Sequence, residues 1–292
     1  VAAGVALGLE PSKMMNALAL SVDLACGTEQ YTFDAGLCDT EGLTGGFGAR
    51  NGVEAALMAD FGFRGPPGAL DGPYGYLNAY GGGAEWQSGV LGSSSALAKT
   101  GLKAHVGCRH VHAAADATKE LLKKQWPSLA EIESVEIGTY ENAVKPCFRV
   151  NYEPDTVEAA MYSLPAVVST VLARGSWYAE DAAAFNEPEI ARVRSLVKVT
   201  VDPEIETNYP RTAGAVVRVT TKDGEIYEGK VEHPKGEPEN MMTRTEREDK
   251  LRNLASARLS KDQIDKLIQC GSDLVELPDV GELVRMTFPV QV

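Results

Sequence analysis

The sequence predicts a mainly helical protein with one α+β segment in its middle, and three observations predict it. Residues 1 to 100 are rich in Gly and Ala and repeat their apolar residues at helical spacing. Residues 101 to 236 alternate strand-like runs with helices and contain Asp223-Gly224, a strong short hairpin signal. Residues 237 to 292 return to charged amphipathic helices.

Taken in order, Val1 to Leu9 reads as part of a helix. Pro11 suits a first helical turn, and Met14, Met15, Leu18 and Val22 then recur every three to four positions up to Gly27, predicting a buried helix. A second helix is expected from about Gly48 to Asp60, with Val53, Ala56 and Leu57 inward, Gly62 as a left-handed stop, and small residues closely packed. Residues 64 to 83 carry turn signals every few positions and read as a loop region with short helical pieces. Helices are expected over Cys108 to Lys124 and Thr156 to Ala173, and strands over Ile132 to Thr139, Leu196 to Val201, Ala215 to Thr221 and Glu225 to Val231. The last two helices are Arg244 to Ala257 and Ser260 to Leu267, the latter capped by Ser260.

Composition excludes several classes. With 292 residues, 44% apolar and 24% charged, the chain is globular rather than disordered, collagenous or coiled-coil. No apolar run approaches the roughly 18 residues of a membrane span. A net charge of −13 argues against a nucleic-acid or anionic-membrane surface, although a local basic pocket can still take a small anion. The five cysteines, Cys26, Cys38, Cys108, Cys147 and Cys270, are odd in number and lack a CxxC pair, so they read as reduced thiols of a cytoplasmic protein.

The densest chemistry lies in Gly101-Leu-Lys103-Ala-His105-Val-Gly-Cys108-Arg109-His110-Val-His112-Ala-Ala-Ala-Asp116. A helix starting near Cys108 would stack Cys108, His112 and Asp116 on one face. Cys108 or His112 then serves as a base, Asp116 fixes the imidazole tautomer, and Lys103 with Arg109 holds a carboxylate. The plainer reading is a His112–Asp116 helix-face pair, with the remaining residues on a solvated surface. A metal site on His110, His112 and Cys108 lacks a second ligand cluster, and His233 beside Pro234 reads as a turn residue, so no metal is expected. The run Gly42-Leu-Thr-Gly45-Gly46-Phe-Gly48 follows no strand and precedes no Lys-Ser/Thr, so it matches neither dinucleotide nor phosphate-loop fingerprints. Its backbone N–H groups can still meet a carboxylate.

Several motifs in register resemble the MmgE/PrpD superfamily, which includes 2-methylcitrate dehydratase, cis-aconitate decarboxylase and an iminodisuccinate epimerase. They are Gly48-Ala-Arg-Asn-Gly52 through Gly62-Phe63-Arg-Gly65, Asp71-Gly-Pro-Tyr-Gly75, and Lys103 with Cys108-Arg-His-Val-His112-Ala-Ala-Ala-Asp116. Tyr162-Ser-Leu-Pro165, Thr221-Lys-Asp-Gly224, and His233-Pro-Lys-Gly236 followed by Lys250 continue the series. The resemblance implies an all-helical domain formed by residues 1–100 and completed by the helices of 237–292, with an inserted α+β lid domain over 101–236. It further implies a homodimeric, cofactor-independent enzyme acting on a small di- or tricarboxylate. Lys103, Cys108 and His112 fall at active-site positions.

Two departures stand out. Where the family carries Lys-x-Leu-His-x-Gly, this chain reads Glu41-Gly-Leu-Thr44-Gly-Gly46, leaving Arg50 or a partner chain to hold a substrate carboxylate beside Arg109. Family members also carry a further amino-terminal portion, so the resemblance makes this chain a fragment, or one subunit of a split enzyme with a separate amino-terminal chain. The expected activity is a lyase of the 2-methylcitrate dehydratase kind, working by proton abstraction next to a carboxylate. An epimerase or decarboxylase of the same family, or a catalytically silent subunit, are the alternatives.

Overall fold

A computed structural model describes residues 1–25, 27, 40–81, 99–124, 128–145 and 147–288. Cys26, Cys38, Gly82 and Gly83 lie outside these, as do the side chains of Glu41 and Cys147. The chain forms two compact units, Val1–Ala96 and Leu97–Val292. It is mainly helical with one small mixed sheet. Among the described residues no helix is long and apolar enough to cross a membrane.

The first unit contains α1 (Ala2–Ala6), α2 (Pro11–Asp23), α3 (Thr40–Asp60) and the short α4 (Tyr76–Ala79). Pro11 opens α2 as expected, since its missing N–H costs nothing in a first turn. Gly62, at φ +101°, follows α3 as the left-handed residue that stops it. Two expectations fail here. Helix α3 begins some eight residues before Gly48, because its glycines tolerate helical angles, at a cost in chain entropy. The buried faces are also misassigned. Met15, Leu18, Val53 and Leu57 are exposed, while Ala17, Ala56 and Ala59 form the contact between α2 and α3. Alanine lets the two backbones approach, and that approach turns the larger side chains outward. Gly45, Gly46 and Gly48 are not part of it: nothing described lies within 4 Å of a Cβ built at any of them.

The second unit is organised by a four-stranded sheet in the order β2-β1-β3-β4, with β1 (Ile132–Thr139), β2 (Val197–Val201), β3 (Ala215–Thr221) and β4 (Ile226–Val231). Strand β1 runs parallel to β2 and antiparallel to β3. The β3–β4 hairpin turns through Gly224 at φ +87°, closed by the Thr221 N–H donating to the Glu225 carbonyl at 2.9 Å. Alternation sends Val135, Ile137, Val217 and Val219 into one core with α5 (His112–Leu122), α8 (Leu164–Arg174) and α10 (Pro188–Ser195). The other face pairs Glu136, Arg218 and Glu228 across three strands, and Arg218 and Glu228 form an ion pair at 2.6 Å. At the end of that face Val216 packs with Tyr140, which precedes α6 (Glu141–Val144), with Ala143 of α6 and with Ile205 of α11 (Pro203–Asn208).

The helix expected over Thr156 to Ala173 is two, α7 (Val157–Ala160) and α8, because Ser163 caps α8 through the Ala166 N–H and Pro165 has no N–H to continue α7. The short α9 (Ala179–Ala183) lies between α8 and α10. After the sheet come α12 (Arg244–Ala255), α13 (Lys261–Ser272) and α14 (Gly281–Met286). Capping boxes of Thr243 with Glu246 and Ser260 with Gln263 start α12 and α13, so Ser260 caps as its type and position indicated.

Candidate functional site

The segment 101–111 is irregular, and glycines at its contacts determine its path. Gly236, at φ +95°, accepts a hydrogen bond from the Leu102 N–H at 2.8 Å, and a Cβ there would run into the Leu102 carbonyl. Gly107, at φ +80°, packs against Met161, whose carbonyl accepts the Cys108 N–H at 3.3 Å. The Trp177 indole N–H, fully buried, holds the Val106 carbonyl at 3.2 Å. These contacts leave Cys108 extended and outside the helix expected to begin there. Arg109–Val111 make a 3₁₀ turn and α5 starts only at His112.

The stacking of Cys108, His112 and Asp116 on one helix face is therefore not formed. Asp116 instead accepts from His105, Nε2 to Oδ1 at 2.7 Å, and takes the Lys235 backbone N–H on Oδ2 at 2.7 Å. His112, only 2% exposed, meets His105 edge to face with ring centroids 5.3 Å apart. Its Nε2 and the Nδ1 of His105 are both buried, and neither has a partner among the described residues. His110 shares a hydrogen bond with the Tyr140 hydroxyl at 2.6 Å, and Tyr140 stacks on Tyr209 at 4.3 Å.

Cations surround these rings. Lys103 folds back so that Nζ donates to the Gly107 carbonyl at 2.9 Å, and Lys250 Nζ donates to the Lys103 carbonyl. Arg109 is ion-paired with Glu237. Burial, followed by the charges of Arg149, Arg109 and Lys103, pushes His110 down to about 4. Burial and then His105 push His112 down to about 3, with Lys103 and Arg109 adding to the effect and Asp116 opposing it. Both rings are thus neutral near pH 7 and able to accept a proton. For Asp116 burial acts upward, but the hydrogen bonds from His105 and Lys235 outweigh it and hold the carboxyl below its usual range. Lys250 is lowered by burial and then by Lys103. Tyr140 is raised by burial and keeps its proton.

Of the residues singled out from the sequence, Lys103 and Arg109 lie near enough to His112 to lower it, while Lys103 is exposed and Cys108 buried. Arg50 lies on α3 in the other unit, exposed, over the Phe47 ring and bonded to Asn51 at 3.2 Å. Tyr140, Lys250 and the His105–Asp116 pair had no role assigned from sequence. His105 and Asp116 meet across an irregular loop whose path no periodicity reveals. Behind this pair opens a cavity of about 400 Å³ lined by His105, Asp116, Lys119, Tyr178, Lys235 and Asp249.

These features define a mainly helical, α+β-containing protein with neutral imidazoles set among lysine and arginine. The MmgE/PrpD N-terminal domain matches residues 1–89 and the MmgE/PrpD C-terminal domain matches residues 105–274. The chain belongs to the MmgE/PrpD family, which includes dehydratases and related enzymes. No curated protein matches it as a relative.

Proposed function

We propose that the chain is a cofactor-independent lyase that removes a proton next to a carboxylate of a small di- or tricarboxylate, in the manner of 2-methylcitrate dehydratase. The observation carrying this reading is the grouping of neutral His110 and His112 and the Cys108 thiol with the cations Lys103, Arg109 and Lys250. Arg109 is already paired with Glu237, so it is a substrate carboxylate bound beside Lys103 that neutralises part of the local positive charge. That raises the basicity of the imidazoles at the moment a base is required. Lys103 and Lys250 then stabilise the enolate-like charge that develops on the substrate. Arg50 supplies a further carboxylate contact once the assembly is complete.

In the same reading residues 101–236 act as a lid, the helices of 237–292 complete the helical domain, and the protein works as a cytoplasmic homodimer. Epimerisation is the second reading, supported by Glu41 in the place of the family's lysine, a change that alters substrate.

The test is incubation of the protein with a panel of di- and tricarboxylates in D₂O, followed by NMR. One compound is expected to lose water, and epimerisation or decarboxylation would appear as a different product and deuterium position. No turnover of any compound by folded protein would leave the silent-subunit reading. Lys103→Ala is expected to lower turnover by roughly 10²- to 10³-fold, the range for losing one electrostatic group that acts on the transition state. Cys108→Ser keeps the size but is a far poorer base, so retained binding without activity assigns Cys108 to proton transfer.

A further inference from the structure

We infer that His110, held by Tyr140, acts in the proposed reaction as a neutral hydrogen-bond donor whose Nε2–H meets the oxygen on which negative charge develops. This rests on the function proposed above and gives the two neutral imidazoles different parts. His112 or Cys108 remains the base, and His110 takes no proton.

The phenol decides the tautomer. Tyr140 is only 2% exposed, packed with Ala143, Ile205 and Val216 and stacked on Tyr209, so almost none of it meets solvent. Among the described residues its one hydrogen-bond partner is His110 Nδ1, at 2.6 Å. Burial raises Tyr140, so the phenol keeps its proton. If Nδ1 carried the ring proton, the Tyr140 O–H would be left buried with nothing to accept it, a costly arrangement. The O–H therefore donates to Nδ1, and the proton of the neutral ring sits on Nε2.

That nitrogen is open. Among the described residues the ring nitrogens sealed from solvent without a partner are His105 Nδ1 and His112 Nε2. His110 Nε2 is not one of them, although no described residue bonds to it, and the ring as a whole is half-buried. It thus offers an N–H to a ligand. Arg149, Arg109 and Lys103 lie close enough for their charges to act on this ring, so an anion at Nε2 meets positive potential. Burial and then those same charges keep the ring from becoming an imidazolium near neutral pH. A neutral donor in such a field stabilises an enolate oxygen without protonating it.

When the substrate C–H bond breaks, its proton goes to the base and its electron pair forms a C=C bond to the carboxylate carbon. The displaced C=O pair moves onto the carboxylate oxygen. The Nε2–H bonds to that oxygen and stays on His110. Tyr140 is a positioning residue, because it acts through the ring.

Two measurements test this. ¹⁵N-histidine NMR of the full chain without substrate reads the tautomer near neutral pH, with His110→Gln identifying the signal. His110 is expected as Nε2–H in the natural protein and as a mixture of tautomers in Tyr140→Phe. An Nδ1–H ring in the natural protein, or an Nε2–H ring unchanged in Tyr140→Phe, would overturn the inference. Turnover reads the role. Glutamine brings an amide N–H near the position of Nε2 but is no base, so His110→Gln is expected to keep kcat within about tenfold. His110→Phe is expected to lose roughly 10²- to 10³-fold in kcat with KM little changed, the range for one donor to a developing oxyanion. His110→Asn, whose amide reaches only the Nδ1 position, takes its place if His110→Phe does not fold. Equal loss in both folded variants would make His110 the base, and full activity in both would remove it from the site; either result overturns the inference. Absence of turnover in the natural protein counts against the lyase reading alone, and the tautomer then decides the assignment of His110.

Discussion

The two units bury different kinds of side chain. Among the described residues of 1–96 the buried side chains are all alanines, whereas the core of 97–292 holds Trp177, Leu121, Ile137, Leu164 and Val217. Apolar burial contributes about 25 cal/mol per Å², so an alanine contact between two helices contributes far less than a sheet covered by three helices. The first unit compensates with close backbone approach and leaves Met15, Phe61 and Tyr74 exposed, residues of the kind that mark contact surfaces. Apolar spacing therefore locates a helix in both regions, but it identifies the buried face only where large side chains fill the core.

Glycine substitutions sharpen the contrast, and the largest effect falls in the second unit. Gly229 of β4 lies under α5 so closely that a Cβ would run into the Ala117 carbonyl and crowd the Leu121 N–H at 2.8 Å. Gly229→Ala must lift α5, and with it His112 and Asp116, off the sheet. The expected loss is about 3 kcal/mol, at the upper end for overpacking, together with lowered activity. Urea unfolding measures it, and a change below about 1 kcal/mol would mean that α5 is loosely seated.

Acid separates the units next. All four histidines, His105, His110, His112 and His233, lie in 97–292. His110 and His112, lowered to about 4 and about 3 from 6.5, stay neutral when folded but take up protons once unfolded. The unfolded state therefore binds more protons below about pH 6.5, and stability falls from there toward about pH 3 to 4; above 6.5 these groups add no pH dependence. Asp116, also lowered, extends the acid limb in the same direction. NMR-resolved urea titrations should show the second unit weakening as pH drops from about 7 to about 4 while the first changes little. Parallel weakening of both units would remove this assignment.

How far the sequence could be read follows the same division. The strands, the Asp223-Gly224 hairpin and the Ser260 cap were legible because they are local: alternation, a turn pair and a side chain three residues from the N–H it accepts. The cluster of 101–116 was legible in part, since Lys103 and Arg109 do lie near enough to His112 to lower it. Its wiring was not. Which imidazole Asp116 holds depends on a positive-φ turn at Gly107, held against the distant Met161, and on contacts with Lys235 and Gly236, also far away in sequence. Tyr140 reaches His110 only because β1 ends where it does.

The smallest effect tests the first unit most directly. Gly48 sits inside α3 with negative φ, and no described atom lies within 4 Å of a Cβ there. If α3 is free along this stretch, Gly48→Ala loses nothing in contacts and reduces the freedom of the unfolded chain, so it should stabilise the protein by about 0.5–1 kcal/mol. If the Gly45-Gly46-Phe-Gly48 run instead meets a second copy of the chain in the homodimer proposed above, the added methyl would crowd that contact. Stability would then fall, and it would fall more at high protein concentration, where the dimer dominates. Unfolding curves of Gly48→Ala at two concentrations distinguish the cases. A concentration-independent gain keeps this face of α3 solvent-facing; a concentration-dependent loss makes it the place where small residues bring two chains together.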